Sequence, residues 1–397
     1  MGIKMKLVLL LVFISIFSSC KEEKPIMDVI DKALSSAVQQ SLLMAKEYEN
    51  DSLLLPRSFE NGKMTSSGAE WWTSGFFPGT LWYLYENTGD SLLLHYAMEY
   101  THRIEKEKYA TNNHDIGFMI FSSFGNGYRL TNDSCYKNVL LLASNSLSKR
   151  YNPNIGLIRS WDFNKEQWQY PVIIDNMMNL EMLLWASKNG GKTLFKEIAI
   201  SHADKTWENH YRDDFSCYHV VSYDTITGFP HVKQTHQGFS DESVWSRGQT
   251  WGLYGYTMMY RETHDIKYLE YAEKIADYLI NHPNMPEDFI PFWDLKAPGI
   301  PNELRDASSA AIMASALIEL SDYVDKSKSE IYMEVARKQI RELASPKYTA
   351  GIGENGFFIL KHSVGNYPIN SEIDAPSTYA DYYYVEALTR LKKRLGN

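Results

Sequence analysis

The sequence predicts an all-α fold, a closed (α/α)6 barrel of six inner and six outer helices, on three observations. First, helix-type periodicity recurs from about residue 27 to the end, while strand-type alternation is scarce. Second, one plan repeats in "GTLWYLYENTGDSLLLHYAMEYTHRI", "LEMLLWASKNGGKTLFKEIAISHADKTW", "WGLYGYTMMYRETHDIKYLEYAEKIADYLI" and "AIMASALIELSDYVDKSKSEIYMEVARKQI". In each, a helix that is apolar or aromatic nearly all round is followed by a short polar turn and a helix charged on one face, as an inner and an outer layer require. Third, a weaker pair around "GFMIFSSFGNGYRLTNDSCYKNVLLLAS", with a first helix near residues 27–48 and a last near 378–394, brings the count to about twelve helices in six pairs.

With 397 residues, 44% of them hydrophobic, the chain can bury one large core or two ordinary ones; six hairpins closing on themselves assign residues 27–397 to a single domain. Three longer irregular segments, at about 151–174, 212–246 and 285–305, are rich in Trp, Tyr, His, Pro and Asp. Long connections of this kind are more often functional than idle, and in a barrel they are expected on the rim where inner helices begin.

Ahead of the barrel, "MGIKMKLVLLLVFISIFSSC" joins two lysines, an apolar run from Leu7 to Phe17 and small residues before Cys20. The run is too short for a permanent membrane span and reads as an export signal. A cysteine directly after "FSS" resembles a bacterial lipoprotein signal: residues 1–19 would be removed, Cys20 lipid-modified, and residues 20–26, with "KEEKP", would form a tether. The alternative is an ordinary secretion signal with an incidental cysteine. The first reading places the protein in the bacterial cell envelope, lipid-anchored and on the periplasmic face rather than the cell surface. Only Cys135 and Cys217 remain, too few for a disulfide framework and without zinc-site spacing.

A net charge of −9, with acids scattered along the chain, argues against nucleic acid as a partner. Aromatic content of 14%, from 27 Tyr, 17 Phe and 10 Trp, suits stacking on flat ligand faces such as sugar rings.

Two acids stand at similar places: Asp115, against the apolar run of "TNNHDIGFMIFSSFGNG", and Asp175, in "YPVIIDNMMNLEMLLWAS". A single Asp at a helix start reads first as a cap. The company of these two points further. His114 precedes Asp115, and other inner-helix starts supply Trp72, Phe76, Gln237, Arg247 and Trp251, with Trp161 in "SWD". Trp72, Phe76, Trp161 and Trp251 offer faces for a pyranose, Arg247 and Gln237 suit a carboxylate or hydroxyls, and two Asp divide proton transfer between them. Arg247, in an apolar helix start, needs a charged partner, for which Asp241, Glu242 or a substrate anion qualifies. His219, in "CYHVVSYD", reads equally as a structural histidine.

Taken together, "WWTSGFFPG", "HDIGF", "SWD", "IIDNMMN", "HQGFSDESVWSRGQTW" and "YADYYYVEAL" run in order across nearly the whole mature chain and resemble glycoside hydrolase family 88, the unsaturated glucuronyl hydrolases. The resemblance implies an (α/α)6 barrel, no metal or other cofactor, and oligosaccharides from polysaccharide lyases that end in a 4,5-unsaturated uronate. It makes Asp175 the general acid/base and Asp115 its essential partner, with Trp72, Phe76, His114, Trp161, His219, Gln237, Arg247 and Trp251 at substrate-site positions. Each Asp is then expected to cap its helix and also to face the cavity. A helix N-terminus lowers a carboxyl pKa, whereas aromatic desolvation and an ionised Asp115 raise that of Asp175, and the second pair of effects is expected to win. The stretch "NYPINSEIDAPSTYADYYY" lacks the lysine associated with members that favour sulfated glycosaminoglycans, which counts against sulfated chondroitin-type substrates and leaves Ser371 and Ser377 as contacts or as exposed loop residues. The rivals are an unsaturated rhamnogalacturonyl hydrolase acting on pectin fragments, a non-catalytic sugar-binding lipoprotein, and a barrel isomerase using paired histidines such as His219 and His236.

Overall fold

A computed structural model describes residues 24–396. The expected signal peptide, Cys20 and most of the tether lie outside the described residues.

Twelve α-helices alternate between two layers among these residues: α1 (Ile26–Glu47), α2 (Phe76–Thr88), α3 (Ser91–Arg103), α4 (Asn126–Thr131), α5 (Ser134–Ser148), α6 (Leu180–Lys188), α7 (Leu194–His210), α8 (Ser246–Thr263), α9 (Ile266–Ile280), α10 (Ala307–Leu320), α11 (Lys326–Leu343) and α12 (Thr378–Gly396). The even-numbered helices form the inner ring. Two of them are extended at their N-terminal ends, α4 by a π-helical segment, Gly117–Gly125, and α6 by a 3₁₀ segment, Ile174–Asn179. The ring closes because α12 packs against both α10 and α2. Every residue of α10 is buried, as its apolar surface all round requires, while amphipathic α9 and α11 bury one stripe each.

Outer helices α3, α5, α9 and α11 begin at Asp90, Asp133, Asp265 and Asp325, whose carboxylates accept backbone N–H bonds from the first turn. Asp115 and Asp175 make no such bond. The N-cap of the 3₁₀ turn is Ile173, the Asp175 carboxyl meets no backbone donor but its own amide, and the amide of Asp115 donates to Asn113 Oδ1 at 2.8 Å. The expected dual role, cap and cavity group, is corrected to the second alone. A carboxylate spent on backbone donors would be unavailable for chemistry.

Seven short strands join the helices among the described residues. They are β1 (Leu55–Glu60) paired with β2 (Lys63–Ser67), β3 (Tyr151–Asn152) with β4 (Leu157–Ile158), and an antiparallel sheet of β5 (Pro171–Ile173), β6 (Val220–Tyr223) and β7 (Pro230–Gln234), in that order. At two to six residues each they are too brief for a strong alternating signal. The three-stranded sheet serves as the site's jig. Its register sets Ile173 opposite Val220 and Val220 opposite Gln234, so Asp175, His219 and the 235–237 turn leave the same end together. The segment between α11 and α12 is a further long connection, in which the bridged pairs Ser363 with Ala375 and Asn366 with Ser371 close a narrow loop.

Candidate active site

One cavity of about 570 Å³ opens among these connections and takes in Trp72, His114, Asp115, Trp161, Asp175, Gln237 and Arg247 from the predicted set. Its size suits a small oligosaccharide. The two acids, sixty residues apart in sequence, reach it from neighbouring inner segments that touch directly: the amide of Phe118 donates to Asn179 Oδ1 at 2.9 Å.

Both carboxyls are held above their ordinary range. Asp175, with a side chain 9% exposed, is pushed up to about 7 by burial, against the opposing charge of Arg247. Asp115 is pushed up to about 8 by burial and then by the charge of Asp175, with Arg150 opposing. Its side chain is 20% exposed, and the exposed edge faces the cavity, so a bound ligand would complete its desolvation. Two coupled carboxyls in this state hold one proton between them near neutral pH.

Each acid has a histidine beside it. His114 Nε2 lies 3.4 Å from Asp115 Oδ1, and His219 Nε2 lies 3.6 Å from Asp175 Oδ2. Burial keeps both rings neutral: His114 falls to about 3 and His219 well below its ordinary value.

Arg247 is almost wholly buried between the rings of Trp245, at 4.6 Å, and Tyr379, at 5.2 Å. Its charged partner is Asp306, at 3.4 Å, not the expected Asp241 or Glu242. Those two instead serve the turn before α8: Asp241 accepts from the Thr235 amide, and Glu242 lies near Arg212. Arg247 also donates to the carbonyls of Val364 and Gly365 on the narrow loop, and Gln237 Nε2 donates to that Gly365 carbonyl at 3.2 Å. Loop and helix are thereby joined at the place where both side chains meet the cavity.

Three predicted contacts stand behind the cavity wall. Phe76 is fully buried, packed edge-on against Trp72 and close to Phe118, Tyr379, Tyr382 and Tyr383. Trp251 is equally buried against Phe118 and Tyr383. Its indole N–H is near enough to lower the Asp175 pKa slightly but makes no hydrogen bond of ordinary geometry. His219 supports Asp175 from behind, with its ring against Trp245. These three are corrected from sugar contacts to supports: α2 and α8 direct Phe76 and Trp251 into the aromatic core that Trp72 covers, and His219, just before β6, lies behind Asp175.

The cavity also contains residues the motifs did not single out. Phe163 stacks on Trp161 at 4.8 Å with rings 10° from parallel, and remains 48% exposed at the rim. Trp71 carries Arg57 over its face at 4.1 Å, and Arg57 is ion-paired with Glu372. Burial raises the Glu372 carboxyl despite that pairing. Asn366, Ile369 and Ser371 on the narrow loop complete that wall, whereas Ser377 is buried at the start of α12. The adjacency of Trp71 to Trp72 and the Gly, Pro and Asn content of "VGNYPIN" were signals for some of these; nothing around Arg57 was. Among the described residues no group of three or more His, Cys, Asp or Glu side chains is placed to hold a metal ion.

No protein-family model matches the chain. An unsaturated glucuronyl hydrolase of Formosa agariphila is 47% identical over 320 residues, which are 80% of this chain and 79% of the relative. An unsaturated chondroitin disaccharide hydrolase of Streptococcus agalactiae is 30% identical over 371 residues, 92% of each chain. Among solved structures, an unsaturated glucuronyl hydrolase specific for heparin superposes with a TM-score of 0.90 at 46% identity, covering 93% of this chain and 98% of its own. With its closed double ring of helices and this degree of likeness over most of its length, the chain belongs to the unsaturated glucuronyl hydrolases, the family its motifs resemble.

Proposed function

We propose that the cavity removes the non-reducing-end 4,5-unsaturated uronate from lyase-generated oligosaccharides by hydrating its C4=C5 vinyl ether, with Asp175 as general acid and base. The observation that carries this reading is the convergence of Asp115 and Asp175, both with raised pKa, in one aromatic-walled cavity beside a buried arginine. In the substrate complex the Asp175 carboxyl gives its proton to C4, forming the C4–H bond, and positive charge develops at C5 next to the ring oxygen. The resulting Asp175 carboxylate takes a proton from water as the water oxygen bonds to C5. The hemiketal so formed opens and expels the neighbouring sugar. Since the anomeric carbon is not attacked, carboxyl spacing carries no stereochemical meaning here. Asp115 keeps the pair's proton count at one, Trp72 and Trp161 supply faces for the sugar, and Arg247 with Gln237 draws in the uronate carboxylate.

Heparin-type disaccharides stand first among the substrates. The heparin-specific relative is 46% identical and the chondroitin-directed one 30%, and the absence of a lysine between Gly365 and Ser377 counts against sulfated chondroitin-type substrates. We propose also that Cys20 carries a lipid and tethers the barrel to the periplasmic face of the cell envelope, on the strength of the sequence before Lys24. Unsaturated disaccharides prepared by lyases from heparin, chondroitin, hyaluronan, ulvan, xanthan and pectin, assayed for loss of the ultraviolet absorbance of the conjugated uronate, test the reading. Loss with the heparin product is the expected result. Sugar binding without loss on any of them would leave a non-catalytic binding protein, and preference for the pectin product would favour the rhamnogalacturonyl chemistry.

A further inference from the structure

The histidines beside the two acids are held by unlike partners, and the difference settles where their hydrogens sit. His219 Nδ1 accepts from the amides of His236, at 3.0 Å, and Gln237, at 3.2 Å. A nitrogen that accepts carries no hydrogen, and the ring is neutral, so its single N–H is at Nε2, facing Asp175 Oδ2. A donor there favours the ionised carboxylate. His114 is held the other way round. Asn176 Nδ2 donates to the Ile158 carbonyl at 2.9 Å, which fixes the orientation of that amide. Asn176 Oδ1 and His114 Nδ1 are both buried and make no hydrogen bond of ordinary geometry, yet the Asn176 side chain stands near enough to His114 to favour a proton on its ring. An amide oxygen can only accept, which favours the His114 hydrogen on Nδ1 and leaves the Nε2 lone pair toward Asp115 Oδ1. A lone pair there favours the protonated carboxyl.

We infer that the free enzyme keeps its single shared proton on Asp115, with Asp175 ionised, and that substrate binding moves this proton to Asp175. This rests on the reading of Asp175 as the acid that protonates C4. The transfer leaves one carboxylate and one carboxyl before and after, so no proton enters or leaves. Its cause is electrostatic. The Arg247 charge holds the Asp175 pKa down in the free enzyme, and a uronate carboxylate drawn to Arg247 cancels that field while water is excluded. The other charged or titratable groups around the pair are Arg150, ion-paired with Asp162, on the Asp115 side, the Cys217 thiol on the Asp175 side, pushed up to about 12 and so neutral, and the Arg57–Glu372 pair across the cavity. His236 and His210 face His219 and are themselves lowered by burial.

Neutron diffraction from crystals of the mature enzyme near pH 7.5, between the two carboxyl values, tests the assignment directly. Deuterium on His114 Nδ1, His219 Nε2 and the Asp115 carboxyl is expected; deuterium on His114 Nε2, or on Asp175 in the free enzyme, overturns it. In kinetics, Asn176→Ala removes the acceptor that holds the His114 tautomer. The alkaline limb of kcat/KM, which reports the free enzyme, should move about one pH unit lower with KM little changed. An unmoved limb in a folded variant counts against the proposal. Should Asn176→Ala fail to fold, the diffraction result on the unaltered enzyme decides. Should the unaltered enzyme hydrate no unsaturated uronide, the functional reading falls while the proton assignment is still read from the crystal.

Discussion

The amide of Phe118 donates to Asn179 Oδ1 at 2.9 Å, and this one bond ties the segment that carries Asp115 to the segment that carries Asp175. Gly117 makes the approach feasible. A Cβ there would lie 2.5 Å from Asn179 Oδ1 and 2.6 Å from its Cα, and that backbone cannot step aside without parting the two inner segments. Gly117→Ala should therefore destabilise the barrel by about 1–3 kcal/mol through overpacking. It should also lower kcat by roughly 10²-fold, the cost of misplacing a catalytic group by about 1 Å. Thermal melts with steady-state kinetics check both, and a normal kcat in a destabilised variant would show that the spacing of the acids does not depend on this contact.

Asp175→Asn keeps the shape of the side chain and its place beside His219 but has no proton to give. Turnover should vanish at every pH while an unsaturated disaccharide still binds, because the aromatic faces and Arg247 remain. Isothermal titration alongside the absorbance assay separates the two properties. A variant that turns over at more than a few per cent of the normal rate would move the acid role to Asp115.

Much of this was legible in the chain, and the reason is physical. An inner helix of a double ring must be apolar all round, an outer one only along a stripe, so the layering of α8 and α9, or of α10 and α11, is written in their composition. Asp115 and Asp175 stood out by the residues around them. What periodicity does not carry is the direction of a side chain at a helix start. Phe76 and Trp251 have the chemistry of sugar platforms, yet α2 and α8 turn them into the core, and Trp71 and Phe163 meet the cavity beside Trp72 and Trp161. Arg57 and Glu372 were invisible for another reason: their pairing spans more than three hundred residues, a distance at which no local pattern operates.

Arg247→Ala should separate binding from folding. Among the described residues the guanidinium is the ion-pair partner of Asp306, and it also ties down the Val364 and Gly365 carbonyls. Its loss leaves the buried Asp306 carboxylate with its hydrogen bonds from Ser308 but no balancing charge, a change that typically costs about 3–5 kcal/mol. The melting temperature should fall, and KM for the unsaturated disaccharide should rise at least about tenfold as the attraction to the uronate is lost. Asp306→Asn, which spares the arginine, should reproduce part of the thermal loss with a smaller change in KM. Equal KM effects in the two variants would mean that Arg247 acts only by shaping the loop.

The raised pKa values of the acid pair set opposite expectations for activity and stability as pH increases. Activity needs one proton on the pair, so kcat/KM should fall as pH rises through about 7 to 8, giving a neutral to mildly acidic optimum. For stability, both groups start from an ordinary value of 3.8 and are raised on folding, so between about pH 4 and 8 the native state binds more protons than the unfolded chain. Stability must then decline with rising pH through that window, the reverse of an ion-paired aspartate. Asparagine does not titrate. Asp175→Asn should accordingly melt a few degrees above the unaltered protein at pH 8 and at nearly the same temperature at pH 4, as followed by circular dichroism. A difference in melting temperature that did not grow with pH would show that Asp175 titrates in the folded enzyme as it does in water.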